Sequence, residues 1–275
     1  MTWFVNYRLD TSVSVADRGL AYGDGVFETI KTRPKQFVQI HYHLARLYRG
    51  LSKLGMAFSP EQKQRLFEFL HTQALPLINE ESVVKIIVTR GKGGRGYLPP
   101  EHCIHSVIIG ILPAPNYLDQ QSKGVSLSVS PVPVSINRFS AGLKHLNRLE
   151  NVMAKQYLSA PDFESVMLNT NKELVECIQS NLFWWRKGIL FTPSLELSGV
   201  QGTYRRKIIE CQSHYNVQVG RYLLSDLMSA DEVFITNSLM GIVPVTRVAN
   251  VAFPIGTCTR KLQFLMQTKD MHGVI

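Results

Sequence analysis

The stretch "SAGLKHLNRLEN", Ser140 to Asn151, places a lysine where its amine is pressed to lose its proton. Lys144 is followed by His145 and Arg148, and the nearest acid, Glu150, comes after both. Neighbouring positive charge and burial both disfavour an ammonium, and a neutral amine is the nucleophile that forms an imine with a carbonyl. From Leu146 onward, Leu146, Leu149, Met153 and Tyr157 recur at helical steps, which predicts a helix that buries this face and leaves Lys144 just outside it. A solvated lysine at a helix start is the plain alternative for the same residues.

A second chemical signal is "LSGVQGTYRRKII", where Gly199 and Gly202 stand directly before a helical pattern. The amides of Thr203 and Tyr204 would lie at the positive end of the helix dipole, where phosphate binds readily. The sequence is not a nucleotide P-loop, and an ordinary glycine-capped loop is its rival reading. Arg46, one helical turn from His43 in "HYHLARL", is a further anion candidate, as are Asn237 and Ser238 at the end of a strand. Each has a structural alternative: a solvated helix arginine, or an ordinary turn. Glu176, in "ELVECIQSNLFWW", is an acid with polar neighbours inside an apolar region. Held there, it could keep a heterocyclic nitrogen protonated; at a strand end it could equally face water. The basic, glycine-rich "TRGKGGRGYLPP" carries Arg95 and Tyr97 and could cover a pocket or simply turn the chain. "HYH" lacks nearby acid or thiol ligands for a metal, and no glycine-flanked nucleophilic serine occurs.

These residues need elements to hold them, and the patterning supplies an α+β fold with two domains. Residues 1–112 read as a small N-terminal domain, with strands near Trp3 to Val5 and in "VFETIKTR". Helices follow in "HLARLYRGLSKLG", with Leu44, Leu47, Leu51 and Leu54 on one face, and in "PEQKQRLFEFLHTQA", capped by Ser59. "SVVKIIVTR" and "HSVIIGILP" read as paired strands around the glycine-rich turn. Periodicity lapses over 113–124, the expected linker. Residues 125–275 read as a larger α+β domain with the strand "VSLSVSPVPV", the helix after Lys144, the strand "SVMLNT" and a hairpin from "NLFWW" to "ILFTP". It continues with a helix over "TYRRKIIECQSHY", the strand "DEVFITNS" and a last helix from near Thr259.

Composition limits the classes of function. At 275 residues the chain can build real cores. The net charge of +9 is spread over short groups such as "RGKGGR" and "YRRK", so anionic small molecules explain it as well as nucleic acid does. Cys103, Cys177, Cys211 and Cys258 lack metal spacing and read as reduced thiols. No run approaches the roughly 18 apolar residues of a membrane helix, and a cytoplasmic protein is expected.

The strings "YGDGVFETI", "HLARL", "GLKHLNRLEN", "ELVECIQSNLFWW", "SGVQGTYR" and "FITNSLMGIVPV", in this order from about Asp17 to Val245, resemble the fold-type IV pyridoxal-phosphate enzymes, the group of branched-chain and D-amino acid aminotransferases. The resemblance implies pyridoxal 5'-phosphate held as a Schiff base on Lys144, with Glu176 on the pyridine nitrogen. It implies phosphate contacts from Arg46, the amides of Thr203 and Tyr204, Asn237 and Ser238, with the cofactor enclosed by two domains of a homodimer. "KHLNRLEN" and "NLFWW" favour a lyase branch that cleaves 4-amino-4-deoxychorismate to 4-aminobenzoate and pyruvate in folate biosynthesis; an aminotransferase is the alternative, and an anion- or nucleic-acid-binding module the non-enzymatic one. Charge and loop position make Arg95, Tyr97 and Arg138 candidates for the two substrate carboxylates. One departure stands out: many family members carry isoleucine then threonine where this chain has Thr203 and Tyr204.

Overall fold

A computed structural model describes residues 1–211 and 215–272. The chain divides into two compact units: Met1–Pro115 with Leu143–Asn147, and Asn116–Gly142 with Arg148–Ile275. Both are mixed α+β.

The first unit opens with β1 (Thr2–Val5), β2 (Arg8–Leu9), α1 (Arg18–Tyr22), β3 (Gly25–Arg33) and β4 (Gln36–Phe37). It continues with α2 (Ile40–Lys53), α3 (Pro60–Phe69), β5 (Ser82–Thr89) and β6 (Ser106–Pro113). The strands form one antiparallel sheet in the order β2-β1-β6-β5-β3-β4. Side chains alternate across a strand, so the buried face of β3 carries Val26, Glu28, Ile30 and Thr32. α2 lays Leu44, Leu47 and Leu51 into the core that Val26 and Ile30 begin. At the start of α3, Ser59 and Gln62 exchange side-chain and main-chain bonds, a capping box that fixes where the helix begins.

Residues 143–147 join this unit as an added edge of the sheet. The Phe27 amide donates to the Lys144 carbonyl at 2.9 Å, and the Leu146 amide donates to the Gly25 carbonyl at 3.0 Å. This corrects the expected helix start. Leu146 lies in a bend that pairs with Gly25, and α5 (Leu149–Gln156) begins only after it. The face expected to be buried is open in the single chain: Leu149, Met153 and Tyr157 are exposed, while Ala154 is the buried residue of α5. Periodicity marked an apolar stripe correctly, but what covers a stripe is not a property of its spacing.

The second unit begins with α4 (Leu118–Lys123), which occupies part of the expected linker 113–124. Asp119 and Lys123 pair across one turn, and the Gln121 side-chain Nε2 donates to the Met240 carbonyl at 2.7 Å, so the segment is packed rather than loose. After β7 (Val125–Val129) and α5 come β8 (Glu164–Leu168), β9 (Leu174–Cys177), β10 (Asn181–Arg186), β11 (Ile189–Pro193) and α6 (Thr203–Glu210). β12 (Val217–Gly220), α7 (Leu224–Met228), β13 (Glu232–Asn237), β14 (Gly241–Val248), β15 (Val251–Ala252) and α8 (Thr257–His272) complete it. The helix expected through Tyr215 is seen to Glu210, and residues 212–214 of that expectation lie outside the described residues.

The sheet of this unit runs β12-β11-β10-β13-β14-β7-β8-β9, and β15 pairs with β14. "NLFWW" in β10 is buried at every position because both faces of its strand are covered. Leu182 and Trp184 enter one core, while Phe183 and Trp185 enter another with Tyr204, Ile208 and Leu262 from α6 and α8. No helix among the described residues is long and apolar enough to cross a membrane.

Leu47 is 1 % exposed and sits on the helix that carries His43 and Arg46. Leu47→Ala should cost about 2–5 kcal/mol by the lost burial and the cavity left behind. Chemical denaturation of both proteins checks this, and a loss below about 1 kcal/mol would show that the core refills.

Candidate active site

In the first unit, β3 organises four of the relevant side chains, those of Lys144, Glu28, Arg46 and His43. Lys144 is held by its own main chain against Phe27, and its Nζ lies 4.3 Å from the centre of the Phe27 ring. On the other face of the strand, the Glu28 carboxylate is fully buried. Arg46 grips it with two bonds, Nε to Oε1 at 2.7 Å and Nη2 to Oε2 at 2.6 Å, and His43 Nδ1 lies 2.6 Å from Oε2. Burial alone would raise the Glu28 pKa, but the charge and hydrogen bonds of Arg46, helped by His43, overcome it and hold the group at about 2. Burial pushes His43 the other way, to a lower pKa, with the Arg46 and Lys144 charges adding to the effect and Glu28 opposing it. His43 is thereby biased toward a neutral ring that donates from Nδ1. Sequence reasoning named Arg46 but missed the role of Glu28, although alternation with Val26 and Ile30 already placed that acid on the inner face.

Arg95 and Tyr97 lie on the exposed loop between β5 and β6 of this unit. The Tyr97 ring stands 5.5 Å from that of Tyr22.

In the second unit, Glu176 lies on β9 and is 5 % exposed. Its Oε2 accepts from Asn181 Nδ2 and from the Val200 amide, both at 3.1 Å. Asn181 also donates to the Val200 carbonyl at 2.9 Å, so one amide ties the carboxylate to the loop that leads into α6. That approach needs glycine. A Cβ on Gly202 would sit 2.0 Å from Asn181 Oδ1, and one on Gly199, where φ is +82°, would sit 2.6 Å from Val175. Buried Arg205 donates to the Pro193 carbonyl at 2.9 Å; burial lowers its pKa to about 10 while the charge of Glu176 opposes the shift. Burial likewise lowers Arg148, with Glu176 and Glu150 opposing.

α6 starts at Thr203 behind Gly202 with no side-chain cap, so its first amides keep the character of an anion site. The Thr203 hydroxyl is buried without a partner among the described residues, and so is that of Thr236 near the end of β13. Thr236 was not singled out from sequence; its position one residue before Asn237 was the available signal. Tyr204 turns its ring into the core beneath α6. Asn237 is largely spent on its own turn, where Oδ1 accepts from the Leu239 and Met240 amides at 2.9 Å and Nδ2 donates to the Gln179 carbonyl at 3.3 Å. Ser238 follows it, half-buried, and Arg138 is exposed on the turn over 137–141.

Beneath the turn from β9 to β10, Glu164 is fully buried and accepts the Gln179 amide at 3.1 Å. Burial raises its pKa to about 7, against the Gln179 and Ser180 contacts.

Residues 25–248 match the amino-transferase class IV family. The chain belongs to that family. It is 39 % identical to the aminodeoxychorismate lyase of Vibrio harveyi, over 98 % of this chain and all of the relative. It superposes on the crystal structure of 4-amino-4-deoxychorismate lyase from Pseudomonas aeruginosa with a TM-score of 0.91 and 36 % identity, over 97 % of this chain and 98 % of that one. The D-alanine aminotransferase of Listeria monocytogenes is 27 % identical over 89 % of this chain and 85 % of its own.

Glu28 and Glu164 should give opposite pH signatures. Glu28, depressed in the fold, contributes stability above its unfolded value of 4.5 that is lost as pH falls toward about 2. Glu164, raised in the fold, contributes below 4.5 and loses its contribution as pH rises through about 7. Glu28→Gln should cost about 3–5 kcal/mol at neutral pH by stranding Arg46 in the interior. Glu164→Gln should flatten the decline in stability between pH 4.5 and about 7, read as the change in thermal midpoint across that window. An unchanged slope would mean that Glu164 is ionised in the fold.

Proposed function

We propose that this chain is a pyridoxal-phosphate-dependent carbon–oxygen lyase that converts 4-amino-4-deoxychorismate to 4-aminobenzoate and pyruvate, a step toward folate. The observation that carries the reading is the match along nearly the whole chain to the Vibrio lyase, at 39 % identity against 27 % for the D-alanine aminotransferase. The residues present fit the cofactor. An uncapped helix start with a buried threonine hydroxyl that has no partner among the described residues suits a phosphate, and the fixed Glu176 carboxylate suits a protonated pyridine nitrogen.

On this reading Lys144 holds the cofactor, Glu176 pairs with the ring nitrogen, and Arg46, the Thr203 and Tyr204 amides, Ser238 and Asn237 serve the phosphate. The Asn237 side chain is committed to its turn, so its share falls to the main chain. Bound pyridoxal phosphate supplies an electron sink for the carbanion formed on the substrate. The Lys144 amine would act as a neutral base and take the proton from the amine-bearing ring carbon of the substrate. Glu176 keeps a proton on the ring nitrogen throughout. Loss of the neighbouring enolpyruvyl oxygen makes the ring aromatic, which drives the step forward. Arg95, Tyr97 and Arg138 contact the substrate carboxylates.

The enzyme works in the cytoplasm as a homodimer on this reading. The exposed apolar side chains of α5 and its C-cap, Leu149, Val152, Met153 and Tyr157, suit a second copy as cover.

The test is product formation from 4-amino-4-deoxychorismate, with wild type beside Lys144→Ala. Equal amounts of 4-aminobenzoate and pyruvate, lost in the variant, are expected, and borohydride should bleach a yellow wild type while fixing cofactor mass on Lys144. Keto-acid formation from D-amino acids by a protein that yields no 4-aminobenzoate would establish the aminotransferase instead. Arg95→Ala should raise KM about tenfold without altering the cofactor absorbance; an unchanged KM removes Arg95 from the substrate site.

A further inference from the structure

The loop of residues 90–105 is built around an arginine that no step above uses. Its two ends are fastened by Asp17, which is fully buried: Oδ2 accepts from the Thr89 hydroxyl at 2.9 Å and the Ser106 hydroxyl at 2.6 Å. Oδ1 caps α1 through the Gly19 amide at 2.7 Å. The next residue, Arg18, is 5 % exposed and reaches the tip of the loop. Nη1 donates to the Gly96 carbonyl at 2.9 Å, with Gly93 at 3.4 Å and Leu98 at 3.5 Å, and Nη2 donates to the Tyr97 carbonyl at 3.1 Å. Nε donates to Asp24 at 2.9 Å, and Arg90 at the root of the loop grips the same carboxylate at 2.7 and 3.1 Å.

This arrangement uses the planar fork of donors that a guanidinium has and an ammonium lacks. With four carbonyls of the segment turned inward onto Arg18, the Arg95 and Tyr97 side chains face outward, and both are exposed. The Arg18 guanidinium also stacks 4.8 Å above the Tyr22 ring, which in turn stands against Tyr97. The glycines make the wrap possible. Gly94 has φ of +78°, and a Cβ there would lie 2.2 Å from the Leu98 carbonyl and 3.1 Å from Arg18 Nη1.

We propose that Arg18 is a positioning residue for substrate: by drawing the carbonyls of residues 93–98 around its guanidinium, it presents Arg95 and Tyr97 in one fixed arrangement to the carboxylates. This rests on the reading of that loop as a substrate contact. Arg18 touches no reacting atom, so its effect is on the arrangement of the free enzyme, which substrate binding would otherwise have to impose.

The experiment uses the cofactor-loaded enzyme and three variants, Arg18→Met, Arg18→Lys and Gly94→Ala, with steady-state kinetics and tryptic cleavage after Lys92 and Arg95. Arg18→Met and Gly94→Ala should each raise KM about tenfold with kcat within about threefold, and Arg18→Lys should fall between them and wild type. Tryptic cleavage at both sites should quicken about tenfold as the loop opens. Gly94→Ala keeps the Arg18–Asp24 pair and gives the result even where Arg18→Met fails to fold. Unchanged cleavage, or faster cleavage with unchanged KM, overturns the inference. The Arg95→Ala result separates the two failures: a raised KM there, with none in the Arg18 and Gly94 variants, condemns the positioning role alone, whereas no change in any of them condemns the loop as a substrate contact.

Discussion

The arrangement of the first unit depends on one strand having two faces. β3 holds Lys144 through the Phe27 amide and ring, and on its inner side it buries Glu28 against Arg46 and His43. A buried carboxylate is costly unless it is paired and hydrogen-bonded, and here each oxygen has a charged or ring-nitrogen partner. The pairing fixes α2 on the sheet at a defined register and holds the Arg46 guanidinium and the His43 imidazole on one carboxylate. A residue on the outer face and one on the inner face therefore cannot be displaced independently.

In the second unit the constraint is close approach of main chain to a carboxylate. Asn181 bonds Glu176 with the same amide group that bonds the Val200 carbonyl, and it leaves no room for a side chain at Gly202. The turn into α6 is thus set by a polar contact, and the direction of the helix start follows from it. A glycine forced by a neighbour's oxygen says more than one in an open turn such as Gly188, whose Cβ would meet nothing.

These two cases also show what could be read from the chain alone. Lys144, Glu176, Gly202 and Arg46 were visible because their chemistry departs from their local pattern: a lysine among bases, an acid among apolar residues, glycines before a helix. The strands and the core face of α2 were visible because their periods are regular. Glu28 was overlooked because an acid inside "FETI" looks like an outward residue until the period is followed through Val26 and Ile30. The start of α5 was misplaced because Leu146 fits a helical stripe, whereas its amide is bonded to Gly25 of β3, and only that partner strand decides. The part that Asp17 and Arg18 play in the loop left no local trace, since the partners that hold it lie more than seventy residues away in Thr89, Gly96 and Ser106.

The departure at Thr203 and Tyr204 bears on the same distinction between main chain and side chain. Tyr204 is 5 % exposed and its ring belongs to the core formed with Phe183, Ile208 and Phe234, so it fills space beneath α6. A helix start offers its first amides whatever side chains they carry, because those donors have no intrahelical acceptor. The one hydroxyl retained is that of Thr203, buried and without a partner among the described residues. Exchanging which of two adjacent positions carries the hydroxyl therefore moves a single donor while the helix dipole and the amides stay in place. The chain keeps the unpaired first amides of α6 and uses the position of Tyr204 to anchor the helix in its core.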